Sequence, residues 1–438
     1  MGGGNVTMGH DDTTPSVAET LNVNSISVED SYDGPRINDN KICEQFVVDL
    51  LERFKEQKKL HKKYAFEQHR WLTIVAAAML DEGKNWGIII AVRKMMMEAP
   101  SLIDIDIPET ARLTVCGDVH GQFYDFLHIF NINGLPSSTN MYLFNGDFVD
   151  RGSFSLEVVV TLFAYKWLYP TSLFLARGNH ETDNMNKVYG FEGEVKHKYS
   201  ETMFKFMIYG ETHIGEPILT LILVVHGGLF SKDDVTLDDI RNIDRIKLKQ
   251  PGTEGLMCEL LWSDPQPEPG RGPSKRGVGT QFGPDVTERF LEKNGLGEVF
   301  RVCVTGFRQF RLASVVANAT ENGYVIEHNG KCVTVFSAPN YWQCCVVGTG
   351  GGDGAMPCFI INLVPAHGDE INNSDTVGNK GALINISPDL KLEYKTFEAV
   401  WVWQYAGFVR AAWMWEDIWG RVMVEKNQVV RWMVRSME

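Results

Sequence analysis

Apolar residues run along the chain in two rhythms. From residue 39, Ile42, Phe46, Val47, Leu50, Leu51 and Phe54 recur at helical spacing, and KEQKKLHKK supplies the wet side. Residues 71–80, 87–97 and 155–167 also read as helices. The second rhythm is a short apolar run closed by a Gly-flanked loop. RLTVC precedes GDVHG (117–121), MYLF precedes GDFVDRG (146–152), SLFLA precedes GNHE (178–181), and ILTLILVV precedes HGGL (226–229). CVTVF (332–336) is followed in the same way by SAPNY. Such runs, bounded by turn residues, predict buried strands, and with helices between them the class is α/β. Residues 1–38 are polar and small and predict a disordered tail. The segment 399–438 differs in composition, since from Trp401 on it carries six of the eleven Trp. No repeat of 20–50 residues is visible.

The four loops at strand ends offer Asp, His and Asn, which are ligand types for a pair of borderline-hard divalent cations. Asp118 and His120 are one residue apart and can face one ion. Asp147 is placed to bridge, Asn179 offers an amide oxygen, and His226 offers an imidazole. His180 neighbours Asn179 but points elsewhere, which suits a proton donor to a leaving alkoxide. Asp150 can hold His180 in its charged form, and Arg151 adds a planar fork that suits phosphate. Each string alone has a plainer reading. A DxH loop is commonly a turn with a surface His, and GD after a strand is commonly an Asx turn. Their joint occurrence, each after an apolar run, points to a dinuclear hydrolytic site. Arg276 reads by default as a surface residue, His61 and His69 as solvated helix residues, and Cys344–Cys345 as a free buried pair.

Composition narrows the setting. Of the 438 residues 44% are apolar and 22% charged, as in globular proteins. The net charge of −14 argues against a nucleic-acid partner. The start MGGGNV lacks a signal-peptide pattern, and Val6 stands where a myristoylation signal wants Ser or Thr. The apolar runs are too short to span a bilayer. Eight Cys without a CxxC pair suggest reduced thiols, so a cytoplasmic or nuclear location, or both, is expected.

The order GDVHG, GDFVDRG, GNHE, HGGL, LLWSDP (260–265) and SAPNY (337–341) resembles the phosphoprotein phosphatase family of Ser/Thr phosphatases. Finer strings look like its type-5 subfamily: KKLHKKYA (58–65), GNHETDNMN (178–186), YGFEGEVKHKY (189–199), VTLDDIR (235–241) and the segment 262–287. The resemblance implies a calcineurin-like metallophosphoesterase fold, a central β-sandwich flanked by helices, over residues 39–398, with 39–110 a helical lead-in. It implies two divalent metal ions of the Mn, Fe or Zn type held by Asp118, His120, Asp147, Asn179 and His226. It makes His180 and Asp150 the acid pair, lets Arg151, Arg276 and Tyr341 frame the phosphate, and gives phosphoprotein substrates.

The departures from the family are local. The polar residues 1–38 cannot supply the subfamily's tetratricopeptide repeats, so chaperone docking through repeats is not expected. Segments 69–90, 208–217, 302–320, 342–376 and 401–438 do not match. Between 300 and 321 the family places Arg-x-His-Glu, whose His completes the second metal. Here Cys303 falls at that place, and His328 aligns with a non-ligand position. The alternative expectation is therefore an impaired relative acting by partner binding. Blocks that stop and restart cleanly are what unspliced or mis-joined coding segments produce; reads through the mature transcript test this.

Overall fold

The computed structural model describes residues 28–37, 41–65, 87–211, 218–219, 222–296, 304–305, 322–341 and 379–400. Three of the expected helices lie there. Glu44–Lys55 buries Phe46, Val47, Leu50, Leu51 and Phe54, the positions picked out by the apolar spacing. Glu44 in its first turn and Arg53 and Lys55 in its last oppose the helix dipole. Ile88–Glu98 covers the second expected helix. Ser155–Leu168 is buried along almost its whole length, which explains why it reads as apolar on all faces. The expectation for 71–80 falls outside the described residues.

The strands are β1 (Ile103–Asp104), β2 (Arg112–Cys116), β3 (Asn140–Phe144), β4 (Leu173–Leu175), β5 (Ile218–Leu219), β6 (Leu223–Val224), β7 (Asp264–Pro265), β8 (Arg271–Pro273), β9 (Thr280–Phe282), β10 (Val304–Thr305), β11 (Tyr324–Glu327), β12 (Cys332–Val335), β13 (Gly381–Ile386) and β14 (Leu392–Phe397). One sheet has the order β14-β13-β2-β3-β4, another β1-β5-β6-β10-β12-β11, and a small third one β7-β9-β8. The first two are stacked. Leu113, Val115, Leu143 and Ile384 from one meet Val224, Val333 and Val335 from the other in a common apolar layer. On the outer face of the five-stranded sheet, Phe144 and Tyr142 pack on the helices Phe123–Asn133 and Ser155–Leu168. The expected β-sandwich with flanking helices is therefore present. The run 218–225 is not one strand as expected: β5 and β6 pair antiparallel within it.

Two expectations need correction. The tail boundary at residue 38 is too late, because residues 28–37 include Val28, Tyr32 and Ile37 packed against the main core. Arg53 lies 4.7 Å above the Tyr32 ring and pairs with Asp33 at 2.6 Å. His61 is not a solvated helix residue. Its side chain is only 10% exposed, 3.2 Å from Glu29, with Tyr32 and Tyr64 beside the ring. A polar stretch lacks periodicity, so neither aromatic anchor was legible.

Candidate active site

Strands β2, β3 and β4 are parallel neighbours, so their carboxyl ends lie side by side and the three loops leave the sheet together. β6 and β12 bring two more loops from the other sheet, and Asp118 forms a bridge with Phe336 just past β12. Gly117 permits this approach: a Cβ there would sit 2.1 Å from the Val335 carbonyl oxygen. Four non-glycine site residues have left-handed backbones, His120 (φ 43), Asp147 (φ 50), Asp150 (φ 68) and Arg151 (φ 71). Each such conformation costs on the order of 1 kcal/mol and persists only where surrounding bonds fix it. Here Val119 and His120 N–H donate to the Asp147 carbonyl, and Gly152 N–H donates to those of His120 and Asp150.

The ligand candidates converge. Asp118, Asp147 and His226 form one buried group, with ligand atoms within 4.8 Å of one another, and His120, Asp147 and His180 form a second. His120 Nδ1 is 3.0 Å from the Val149 carbonyl, which turns Nε2 toward Asp147 Oδ2 at 3.5 Å and Asp118 Oδ2 at 3.7 Å. His226 repeats the device. Its Nδ1 is 2.7 Å from the Asn145 carbonyl, and its Nε2 faces Asn179 Oδ1 at 2.7 Å and Asp147 Oδ1 at 3.4 Å. Burial disfavours the charged form of both imidazoles, pushing His120 down to about 3 and lowering His226. Burial alone would raise the Asp147 carboxyl, but His226, His180 and His120 together hold it down at about 2.

A proton donated from Nδ1 to the Asn145 carbonyl leaves Nε2 of His226 as a lone pair aimed at another acceptor, Asn179 Oδ1. Two buried carboxylates stand beside them. Acceptors turned on one another in a buried site are a donor set that fits divalent cations, with imidazoles oriented from behind as metal-binding His residues are.

His180 and Asp150, read as an acid pair, are bonded to each other. His180 Nδ1 is 2.7 Å from Asp150 Oδ2. Burial works against the charged imidazole, but Asp147 and the Asp150 bond outweigh it and raise His180. Arg151 and Tyr189 are stacked, the guanidinium 3.9 Å from the ring centroid. Arg276 is not the surface residue of the default reading. Its side chain is 11% exposed and grips Asp264 through Nε at 2.9 Å and Nη2 at 2.8 Å. Burial opposes its charge, but Asp264, then Asp147 and Asp118, favour it. Tyr341 is buried with its ring 5.0 Å from that of His120, and its N–H donates to Asn379. His328 bonds Thr287 and the Gln266 carbonyl, in keeping with a non-ligand.

Reading the sequence left out several supporting residues. Glu181, wholly buried, accepts the N–H groups of Asp147, Phe148 and Gly178, each at 2.8 Å, and so ties the GDFVDRG loop to the GNHE loop. Its place as the last letter of GNHE was a signal without a visible role. Asn186 donates to Asp150 Oδ2 and to the His180 carbonyl. Asp264 stands in LLWSDP, and only the fold shows that it aims Arg276. The expectations for Cys303, His69, Cys344–Cys345 and the segment from 401 lie outside the described residues.

Comparison with known proteins follows the same lines. The family model described as calcineurin-like phosphoesterase matches residues 111–306. A second model, the PPP5 TPR repeat region, matches residues 7–68. That match conflicts with the expectation that the chain lacks the subfamily's tetratricopeptide repeats, and it runs through the helix Glu44–Lys55. Serine/threonine-protein phosphatase T of Aspergillus oryzae is 47% identical over 390 residues, 88% of this chain and 67% of that protein. Serine/threonine-protein phosphatase 5 of Rattus norvegicus is 47% identical over 333 residues, 76% of this chain and 60% of that protein. A solved Saccharomyces cerevisiae protein serine/threonine phosphatase, with similarity to human phosphatase PP5, superimposes with a TM-score of 0.63 at 36% identity. It covers 82% of this chain and 97% of the solved one. Among the described residues, no helix is long and apolar enough to cross a membrane.

Proposed function

Because the chain belongs to the serine/threonine protein phosphatases of the calcineurin-like phosphoesterase family, we propose that it hydrolyses phosphoserine and phosphothreonine in proteins at the cluster around Asp147. The observation that carries this reading is the pairing of a buried acceptor set with a His180–Asp150 bond of 2.7 Å beside it. Asp118, His120, Asp147, Asn179 and His226 would hold two divalent cations of the Mn, Fe or Zn type. Bound there, such ions supply Lewis acidity toward the phosphoryl oxygens and lower the pKa of water.

The chain's own groups divide the remaining work. The guanidinium groups of Arg151 and Arg276 bind the phosphate oxygens, and Asp264 keeps Arg276 extended. Tyr341, packed on His120, closes the side of the site toward β12. His180 donates a proton from Nε2 to the departing serine or threonine oxygen, while Asp150 holds Nδ1 and Asn186 holds Asp150. Glu181 keeps the Asp147 and His180 loops in register. The raised pKa of His180 favours the protonated imidazole that this step uses.

The test uses the full chain loaded with manganese. Phosphate release from a phosphoserine peptide, lost on chelation and restored by the ion, is the expected result. Metal-independent release, or none with ions bound, overturns the reading.

A further inference from the structure

Tyr189 ends the helix Asp183–Tyr189, and Gly190, in the left-handed conformation at φ 117, turns the chain there. The end of that helix reaches the GDFVDRG loop by two routes. The Arg151 N–H donates to the Tyr189 carbonyl at 3.1 Å, and the Arg151 guanidinium lies over the Tyr189 ring at 3.9 Å. The phenol also meets His180. Its ring centroid is 5.1 Å from that of His180, with the planes tilted by 54°. The ring is half-buried, while Val188 before it is exposed. Among the described residues Arg151 Nε is buried without a hydrogen-bond partner, and no carboxylate there forks onto this guanidinium as Asp264 does onto that of Arg276. The backbone of Arg151 is itself left-handed at φ 71.

We infer that Tyr189 is a positioning residue for phosphate recognition: its π-face holds the Arg151 guanidinium flat and directs its free edge to the phosphate. The inference deepens the functional reading above and rests on it. The site then has two arginines oriented by different means, Arg276 by a carboxylate and Arg151 by an aromatic face. A face orients a guanidinium without occupying its N–H donors, so the donors of Arg151 stay open to a phosphate. A carboxylate at the same place would compete with the substrate for them.

The chemistry separates an aromatic role from a volume role and from a hydroxyl role. Y189F keeps the face and loses the hydroxyl. Y189L keeps most of the bulk and loses the face. Inorganic phosphate is the probe, measured as a competitive inhibitor and by direct calorimetric titration of the metal-loaded full chain, with melting curves for each variant. Y189F should bind phosphate within two-fold of the parent. Y189L should bind it about three- to thirty-fold more weakly, the range of a desolvated cation–π contact. Its KM for a phosphoserine peptide should rise by a like factor, and its melting temperature should stay near that of Y189F. In an R151A background the Leu substitution should add less than two-fold, because the ring then has no guanidinium to hold.

Equal phosphate affinity in Y189L and the parent overturns the inference, and so does an equal loss in Y189F and Y189L. Full additivity with R151A overturns it too. A parent chain that binds ions but neither binds phosphate nor releases it from the peptide overturns the functional reading and this inference together.

Discussion

The loops after β2, β3 and β4 and the loop after β6 meet at one point but are held differently. The first three are laced to each other. Asp147 receives N–H bonds from Val119, His120 and His180, and Glu181 gathers three more N–H groups from the same two loops. His226, from the six-stranded sheet, takes its orientation from Asn145 in the opposite sheet. The Asn145 carbonyl faces Nδ1, and the Asn145 amide donates to the Val225 carbonyl at 2.9 Å. One half of the site is thus a mutual lattice that carries Asp147, Asp150 and His180. Among the described residues the other half has fewer such bonds: Asn145 reaches His226 across the sandwich, and the Gly227 N–H beside it donates to the Leu260 carbonyl at 2.7 Å. The unmatched stretch 302–320 belongs to the second half by sequence, since it replaces the segment that brings the family's remaining ligand.

Breaking the laced half should have the largest effect. D147N and D118N should lower turnover of p-nitrophenyl phosphate by about three orders of magnitude or more, and bound metal should fall with it. Ion content by mass spectrometry checks the second part. Parent-like activity in either variant would sink the assignment of the site.

Removing the acid from the same half should cost less and be selective. H180A should slow hydrolysis roughly two to four orders of magnitude with metal content kept. The slowing should be greater on a phosphoserine peptide than on p-nitrophenyl phosphate, whose leaving group needs little protonation. Equal slowing on the two substrates counts against the proton-donor role.

The weaker half can be strengthened. C303H, which puts an imidazole where the resemblance expects the family's remaining ligand and leaves β10 intact, should tighten the second metal about ten- to a hundred-fold, the scale that even groups behind the ligands contribute. Titration of the apo chain with manganese reads this directly. Two tight sites already present in the unchanged chain would show that the unmatched stretch supplies its own ligand.

The smallest effect probes the laced half without touching its chemistry. Asp125, in the helix that follows the GDVHG loop, accepts the Val400 N–H at 2.8 Å, and burial raises its carboxyl to about 7. The unfolded chain titrates this group near the usual carboxylate value, about 4. Between those values the folded state binds more protons than the unfolded one, so this group's contribution to stability falls as pH rises from 4 to 7 and stays lost above. D125N keeps the acceptor and removes the titration. Urea melts at pH 5 and pH 8 should show the parent losing on the order of 2 kcal/mol relative to D125N. Parallel pH dependence in the two proteins would remove Asp125 from this role.

Much of the architecture was legible because it repeats a local rule. An apolar run followed by a Gly-flanked polar loop marks a strand whose end is functional, and β2, β3, β4 and β12 follow it. Helical spacing picked out the buried face of Glu44–Lys55 for the same reason. The run 218–225 misled, since eight residues with one polar interruption give no sign of a reversal. Residues 28–37 misled in the opposite direction, because Tyr32 earns its place by stacking under Arg53 rather than by any period.

The sequence by itself determined which residue types stand at the strand ends, and so the chemistry: Asp118, His120, Asp147, Asn179, His180 and His226 are all in strings short enough to be read locally. Only the tertiary structure decided how those groups are aimed. The Val149 and Asn145 carbonyls select the tautomers of His120 and His226, Glu181 locks two loops together, Asp264 extends Arg276, and Tyr189 lies under Arg151. Such partners are separated by up to 81 positions, as Asn145 and His226 are. No local pattern records them, because orientation comes from bonds between residues far apart in the sequence that only the stacked sheets bring together.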